Sequence, residues 1–264
     1  MVLDTVEAAV RTAVAKRDYL YANPVGYFIA SMLAGLYVGL GIVLIFAIGG
    51  PLAQAGHPAL KLLMGASFGI ALTLVVFAGA ELFTGNTLYM TLGWLRGAVR
   101  AKDLALVWVI SWIGNLAGAL ALCAAVVHAG NLGHARGLIA TVATAKMGAA
   151  PSVLLVSGVL CNLLVCLALW TAARTRSDAA KIILICMCLL AFIASGFEHS
   201  VANMTLLGVG VLGHVADGIG WSGYFHNLLW VTLGNTLGGA VILAGAFHRM
   251  AGSTKITNPE GSKA

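Results

Sequence analysis

Two apolar stretches, residues 60–95 and 181–212, are too long for one straight membrane crossing, which takes about 20 residues. Each is interrupted by a polar, glycine-bearing run: Gly79-Ala80-Glu81-Leu82-Phe83-Thr84-Gly85-Asn86 in the first and Ser195-Gly196-Phe197-Glu198-His199-Ser200-Val201-Ala202-Asn203 in the second. Of the nine acidic residues, only Glu81 and Glu198 lie inside apolar stretches. Ionisable groups in hydrocarbon are costly, so they face a protein interior or a wet cavity and usually mark an ion or proton path. Two half-helices per stretch, joined by a non-helical loop that protein or water surrounds, satisfy both facts. The pattern is that of a pore.

The rest of the chain restricts the class. It is 60% hydrophobic and 9% charged, where a soluble domain carries roughly 25% charged residues. This predicts an all-α membrane protein. The first twenty residues include Asp4, Glu7, Arg11, Lys16, Arg17 and Asp18 and have no uninterrupted apolar core, unlike a cleavable signal peptide. Val6, Val10, Ala13 and Val14 share one helical face, which predicts an amphipathic cytoplasmic helix over residues 1–22 lying on the bilayer. A channel domain is expected over 23–250 and a disordered cytoplasmic tail over 251–264. The five cysteines fall in apolar segments without metal-site spacing and are expected to be packing residues. No cofactor or metal is expected.

Six apolar segments, at about 26–50, 60–95, 104–130, 151–173, 181–212 and 225–248, predict six spans. With both termini on one side, twelve of the fifteen Lys and Arg residues share that side, leaving Lys61, Arg136 and Lys146 opposite. This bias places both termini in the cytoplasm. The basic charge then meets lipid headgroups rather than nucleic acid. Gly114-Asn115-Leu116-Ala117-Gly118 in the third span is echoed by Gly234-Asn235-Thr236-Leu237-Gly238 in the sixth. Three spans per half is an odd number, so the halves enter from opposite sides as an inverted repeat, with the substrate site near the midplane where the broken spans meet. The small-residue pattern itself reads as close helix packing.

His199 falls near mid-membrane. Low dielectric disfavours the imidazolium, so the ring is expected to rest neutral, whereas an arriving anion favours its protonation. A purely structural role, bonding a carbonyl in the break, is the alternative. Glu198 is expected to cap the N–H groups of the following half-helix, or else to tune His199. Thr84 can hydrogen-bond the imidazole across the midplane, and Asn203 adds a small polar group. Half-helix N-termini suit anions. Lys146 reads as an interfacial anchor or as a focus for anions at the pore mouth. Phe68, Leu72, Leu82, Phe83 and Phe192 could together form apolar constrictions.

Three segments carry a resemblance: Val76-Phe77-Ala78-Gly79-Ala80-Glu81-Leu82-Phe83-Thr84-Gly85, Gly158-Val159-Leu160-Cys161-Asn162-Leu163-Leu164-Val165-Cys166-Leu167-Ala168, and Ala194-Ser195-Gly196-Phe197-Glu198-His199-Ser200-Val201-Ala202-Asn203-Met204. In this order the chain resembles the formate/nitrite transporter family over almost its full length. The stretch from Phe225 to Thr236 and the opening Asn23-Pro24-Val25-Gly26 are similar to its nitrite-channel branch. The resemblance implies an aquaporin-like protomer of a homopentamer in the bacterial inner membrane, passing small monovalent anions, nitrite or formate, under the influence of protons. It implies loops at Glu81–Asn86 and Ser195–His199, His199 facing Thr84, and Asn162 lining the path. It implies that Lys146 draws anions, and that Leu72, Leu82 and Phe83 form one slit and Phe68 and Phe192 the other. Formate-type relatives carry a lysine where this chain has Gly26, which leans the reading toward nitrite, with a formate or hydrosulfide channel as the alternative.

Other classes fit less well. An aquaporin-like neutral-solute pore uses Asn-Pro-Ala at both half-helix starts, but the Asn-Pro pairs here, Asn23-Pro24 and Asn258-Pro259, fall outside the breaks. A haem subunit requires paired axial histidines on facing spans, and only His199 is near mid-membrane. No phosphate-binding loop suggests a pump. The expectation is a channel without enzymatic activity.

Overall fold

The computed structural model describes residues 2–252, so most of the expected 251–264 tail lies outside the described residues. Within them the chain is helical throughout: α1 (Val2–Ala22), α2 (Pro24–Gln54), α3 (Leu60–Ser67), α4 (Gly69–Phe77), α5 (Phe83–Leu95), α6 (Ala101–Ala129), α7 (Arg136–Gly148), α8 (Pro151–Ala172), α9 (Asp178–Ala194), α10 (Ser200–Leu212), α11 (Trp221–Thr236) and α12 (Gly245–Met250). A π-helical segment, Leu237–Ala244, joins α11 to α12. Pro24–Gln54, Leu60–Phe77, Ala101–Ala129, Pro151–Ala172 and Trp221–Met250 are long and apolar enough to cross a membrane, and Ser200–Leu212 is a shorter apolar helix.

Small residues set the two closest helix crossings. A Cβ on Gly35 would run into the backbone of Asn115, and one on Gly118 into the carbonyl of Met32, so α2 and α6 meet backbone to backbone. The crossing of α8 with α11 and the π-helical segment repeats this: Gly158 faces the carbonyl of Val231, Gly234 that of Leu155 and Gly238 that of Val159. Without a hydrophobic drive between helices in lipid, such close approach supplies the packing energy. The repeated glycine pattern therefore acts as expected, once in each half.

The two interruptions also match each other. α4 gives way to α5 across Ala78–Leu82, and α9 to α10 across Ser195–His199. Gly79 and Gly196 adopt φ of +78° and +74°, the left-handed region that glycine enters at no steric cost. One residue later, Ala80 N–H donates to Val75 O (3.1 Å) and Phe197 N–H to Phe192 O (3.0 Å), the back-bonds that close a helix C-terminus.

α1 packs its apolar stripe on the rest of the protein. Its apolar face does not lie free for lipid: Val6, Ala9 and Val10 pack with Leu88 and Leu92 of α5, Trp170 of α8 and Phe247 of α12, and Ala13 and Leu20 join Tyr27 and Met90. A helical stripe of this kind buries equally well against bilayer or protein, and here the end of the helical bundle supplies the partner.

Candidate functional site

Each interruption is held by an asparagine more than thirty residues downstream. Asn115 Nδ2 donates to Ser31 O (2.7 Å) and Glu81 O (2.9 Å), and its Oδ1 accepts from Phe83 N (2.9 Å). Asn235 Nδ2 donates to Gly158 O (2.8 Å) and Glu198 O (2.9 Å), and its Oδ1 accepts from Ser200 N (2.9 Å). Both side chains are fully buried. Each thereby accepts the first N–H of the following half-helix, Phe83 or Ser200, which has no intrahelical partner, and donates to a loop carbonyl and to a carbonyl of a neighbouring helix. Glu81 N–H also donates to Ala30 O (3.1 Å), and Glu198 N–H to Ser157 O (3.3 Å). These anchors are the main residues that sequence reading misses: the asparagines were legible only as part of a packing motif.

With the loops so held, Leu82 begins α5 and His199 begins α10. His199 is the N-cap, because its Nδ1 accepts from Ala202 N–H at 3.0 Å. This corrects the expectation for Glu198, whose carboxylate touches side chains instead. Its Oε1 pairs with Lys146 Nζ (2.7 Å) and its Oε2 accepts from Asn203 Nδ2 (2.6 Å). The imidazole can reach the N–H of the third helical residue from its own position, so the acid is released to meet a lysine. With Nδ1 accepting, the hydrogen of the neutral ring is assigned to Nε2. There it donates to Thr84 Oγ1 at 3.1 Å, and the Thr84 hydroxyl keeps its own hydrogen for another acceptor.

Three cavities line up through this point. One, of about 470 Å³, is bordered by Lys16, Glu81, Leu72 and Leu82. Another, of about 390 Å³, is bordered by Lys146, Glu198, Asn203, Phe192 and His199. Between them lies a chamber of only about 10 Å³, which shares Leu72 and Leu82 with the first and Phe192 and His199 with the second, and which Phe68 also lines. That is room for about one water at most, so His199 borders a narrow point between the two larger cavities. Phe68 and Phe192 meet edge to face at 5.7 Å, and Phe192 stacks on His199 at 5.9 Å.

The remaining expected site residues fall as follows. Phe83 is buried and borders none of these three cavities. Asn162 stands behind Thr84 rather than in a cavity wall: its Nδ2 donates to Thr84 O (3.3 Å), Thr87 Oγ1 (3.0 Å) and Asn235 O (2.6 Å). Its Oδ1 is buried without a hydrogen-bond partner. The π-helical segment begins two residues after Asn235; such a segment offsets the backbone ladder and frees a carbonyl for an outside donor. Asn203 also donates to Asn227 Oδ1 (2.8 Å), and Asn227 Nδ2 returns to Lys146 O (3.0 Å), closing a ring around the Lys146–Glu198 pair.

The sequence pattern described as formate/nitrite transporter matches residues 3–249. The chain belongs to the formate/nitrite transporter family. It is 46% identical to the nitrite transporter NirC of Salmonella typhimurium over 245 residues, covering 92% of this chain and 90% of that protein. Among solved structures it is similar to an FNT family ion channel, with a TM-score of 0.87, 43% identity and coverage of 94% of this chain and 98% of that one. It is also similar to a pentameric formate channel with formate bound, with a TM-score of 0.74, 26% identity and coverage of 85% and 96%.

Proposed function

We propose that the chain is a passive channel for small monovalent anions, nitrite foremost, and performs no chemical conversion. The observation that carries this reading is His199, hydrogen-bonded to Thr84, at an apolar pinch between two lysine-bearing vestibules. Bare apolar walls would leave a monovalent anion without partners, at a cost of several kcal/mol. The Nε2–H of His199, turning from Thr84 Oγ1 to the anion, replaces part of the lost hydration at the narrowest point. The N-termini of α5 and α10 add positive dipole ends there. Lys146 attracts anions to one mouth while its pairing keeps Glu198 from repelling them.

In this proposal the chain forms six spans as two inverted three-span repeats, and α4–α5 and α9–α10 are the broken second and fifth. The correspondence of Gly79 with Gly196, Glu81 with Glu198 and Asn115 with Asn235 in their contacts supports it. Five protomers assemble in a bacterial inner membrane with both termini in the cytoplasm, and protons modulate flux through His199. Formate or hydrosulfide is the alternative cargo. The NirC relative favours nitrite, as does Gly26, where a side chain would strike the Asn23 side chain that caps α2 at 2.9 Å.

The test is flux of nitrite, formate and hydrosulfide into proteoliposomes at two pH values, with glycerol as a neutral control. Nitrite should pass and glycerol should not; the reverse order would sink the reading. Thr84→Val removes the acceptor that holds the Nε2–H of His199 in place. Nitrite flux should fall about tenfold, the worth of one hydrogen bond, and its variation between about pH 5 and 8 should flatten. A pH profile identical to that of the parent protein would count against the pairing.

A further inference from the structure

The vestibule remote from Lys146 holds a lysine that the span pattern does not supply. Lys16 lies on α1, and its Nζ sits 2.7 Å from Glu81 Oε2, with the lysine side chain 13% exposed and the glutamate 12%. It borders the cavity of about 470 Å³ and stands 5.8 Å from the centre of the Tyr89 ring. Glu81 Oε2 also accepts from Tyr27 Oη (2.8 Å) and Asn86 Nδ2 (3.3 Å). The other vestibule has the same plan: a lysine from outside the broken span 2.7 Å from Glu198, and Asn203, five residues beyond that glutamate, on its second oxygen. Asn86 likewise lies five residues beyond Glu81. α1 is docked along its whole apolar face, so the ammonium is delivered by a fixed helix.

We infer that Lys16 is the anion-collecting group of the mouth on the α1 side, which makes the N-terminal helix part of the conduction path. The inference rests on the anion-channel reading above. A cation in the wall of a low-dielectric cleft raises the local anion concentration. Its carboxylate partner keeps two further donors, so the ammonium can turn toward an arriving anion without leaving Glu81 unpaired.

Nitrite currents through single channels in bilayers of known protein orientation test this. At large voltage and low ionic strength, Lys16→Gln should lower the current carried by nitrite entering at the α1 mouth about three- to tenfold and the opposite current less. Lys146→Gln should rectify in the reverse sense, and both effects should shrink near 1 M salt. Lys16→Arg should restore the parent current. Glu81→Gln frees the ammonium of its counter-charge and should raise the α1-side current. If Lys16→Gln does not assemble, that rise still supports the assignment. A fall with Glu81→Gln marks the pair as a structural pin and overturns it. Unchanged rectification in Lys16→Gln overturns it too, while leaving the channel reading in place. Absence of nitrite current in the parent protein would instead remove the channel reading, and this inference with it.

Discussion

Asn235→Leu is expected to lower the thermal unfolding midpoint of the detergent-solubilised protein more than any single change in the cavity walls, and to silence nitrite flux. The substitution keeps the branched shape but strands Glu198 O and Ser200 N and removes the bond to Gly158 O, all of which the amide serves. Each stranded buried group costs about 1–3 kcal/mol, so a loss on the order of 3 kcal/mol is expected even after neighbours relax. The loop it releases carries His199, so the position of the imidazole is lost together with the stability. Asn115→Leu should reproduce the destabilisation through Ser31 O, Glu81 O and Phe83 N, since that amide makes the same three bonds in the other half. A melting curve for Asn235→Leu coincident with that of the parent protein would show that the anchor is dispensable.

These anchors mark where sequence reading stops. Glycine beside an acid within an apolar run announces a break, because both residues are costly in a continuous helix in lipid, and the helices are interrupted at residues 78–82 and 195–199. The pairing of His199 with Thr84 was expected as a contact between the two interruptions, and the two side chains meet at 3.1 Å. The anchors of the two loops were not legible. The asparagine amides act on carbonyls 34 and 37 residues away, and no local spacing encodes such a bond. Capping of α10 by His199 rather than Glu198 depends on which side chain is nearer the N–H of the third helical residue, a matter of rotamers. Lys16 was hidden because an amphipathic stripe does not say whether lipid or protein will cover it, so α1 read as a surface helix. The π-helical segment at Leu237–Ala244 interrupts a run whose apolar periodicity carries no sign of it.

Among changes in the cavity walls, the largest functional effect is expected at His199. In His199→Phe the new ring occupies the same space against Phe192, which already stacks on the imidazole at 5.9 Å. Loss of the Nδ1 cap on Ala202 N–H costs about 1 kcal/mol, too little to prevent assembly. Loss of Nε2–H is different, because it removes a donor from a pinch whose other walls are Phe68, Leu72, Leu82 and Phe192. An anion passing there forfeits one of its few partners, a penalty of about 2–3 kcal/mol, which corresponds to roughly a hundredfold in rate.

The most direct measurement is therefore nitrite flux into proteoliposomes carrying equal amounts of the parent protein and His199→Phe, each shown by size-exclusion chromatography to hold the same oligomeric state. About a hundredfold less flux through the phenylalanine variant is the result expected of an imidazole that hands anions across an apolar gap. Equal flux through both would mean that the anion travels elsewhere and that His199 serves only to start a helix.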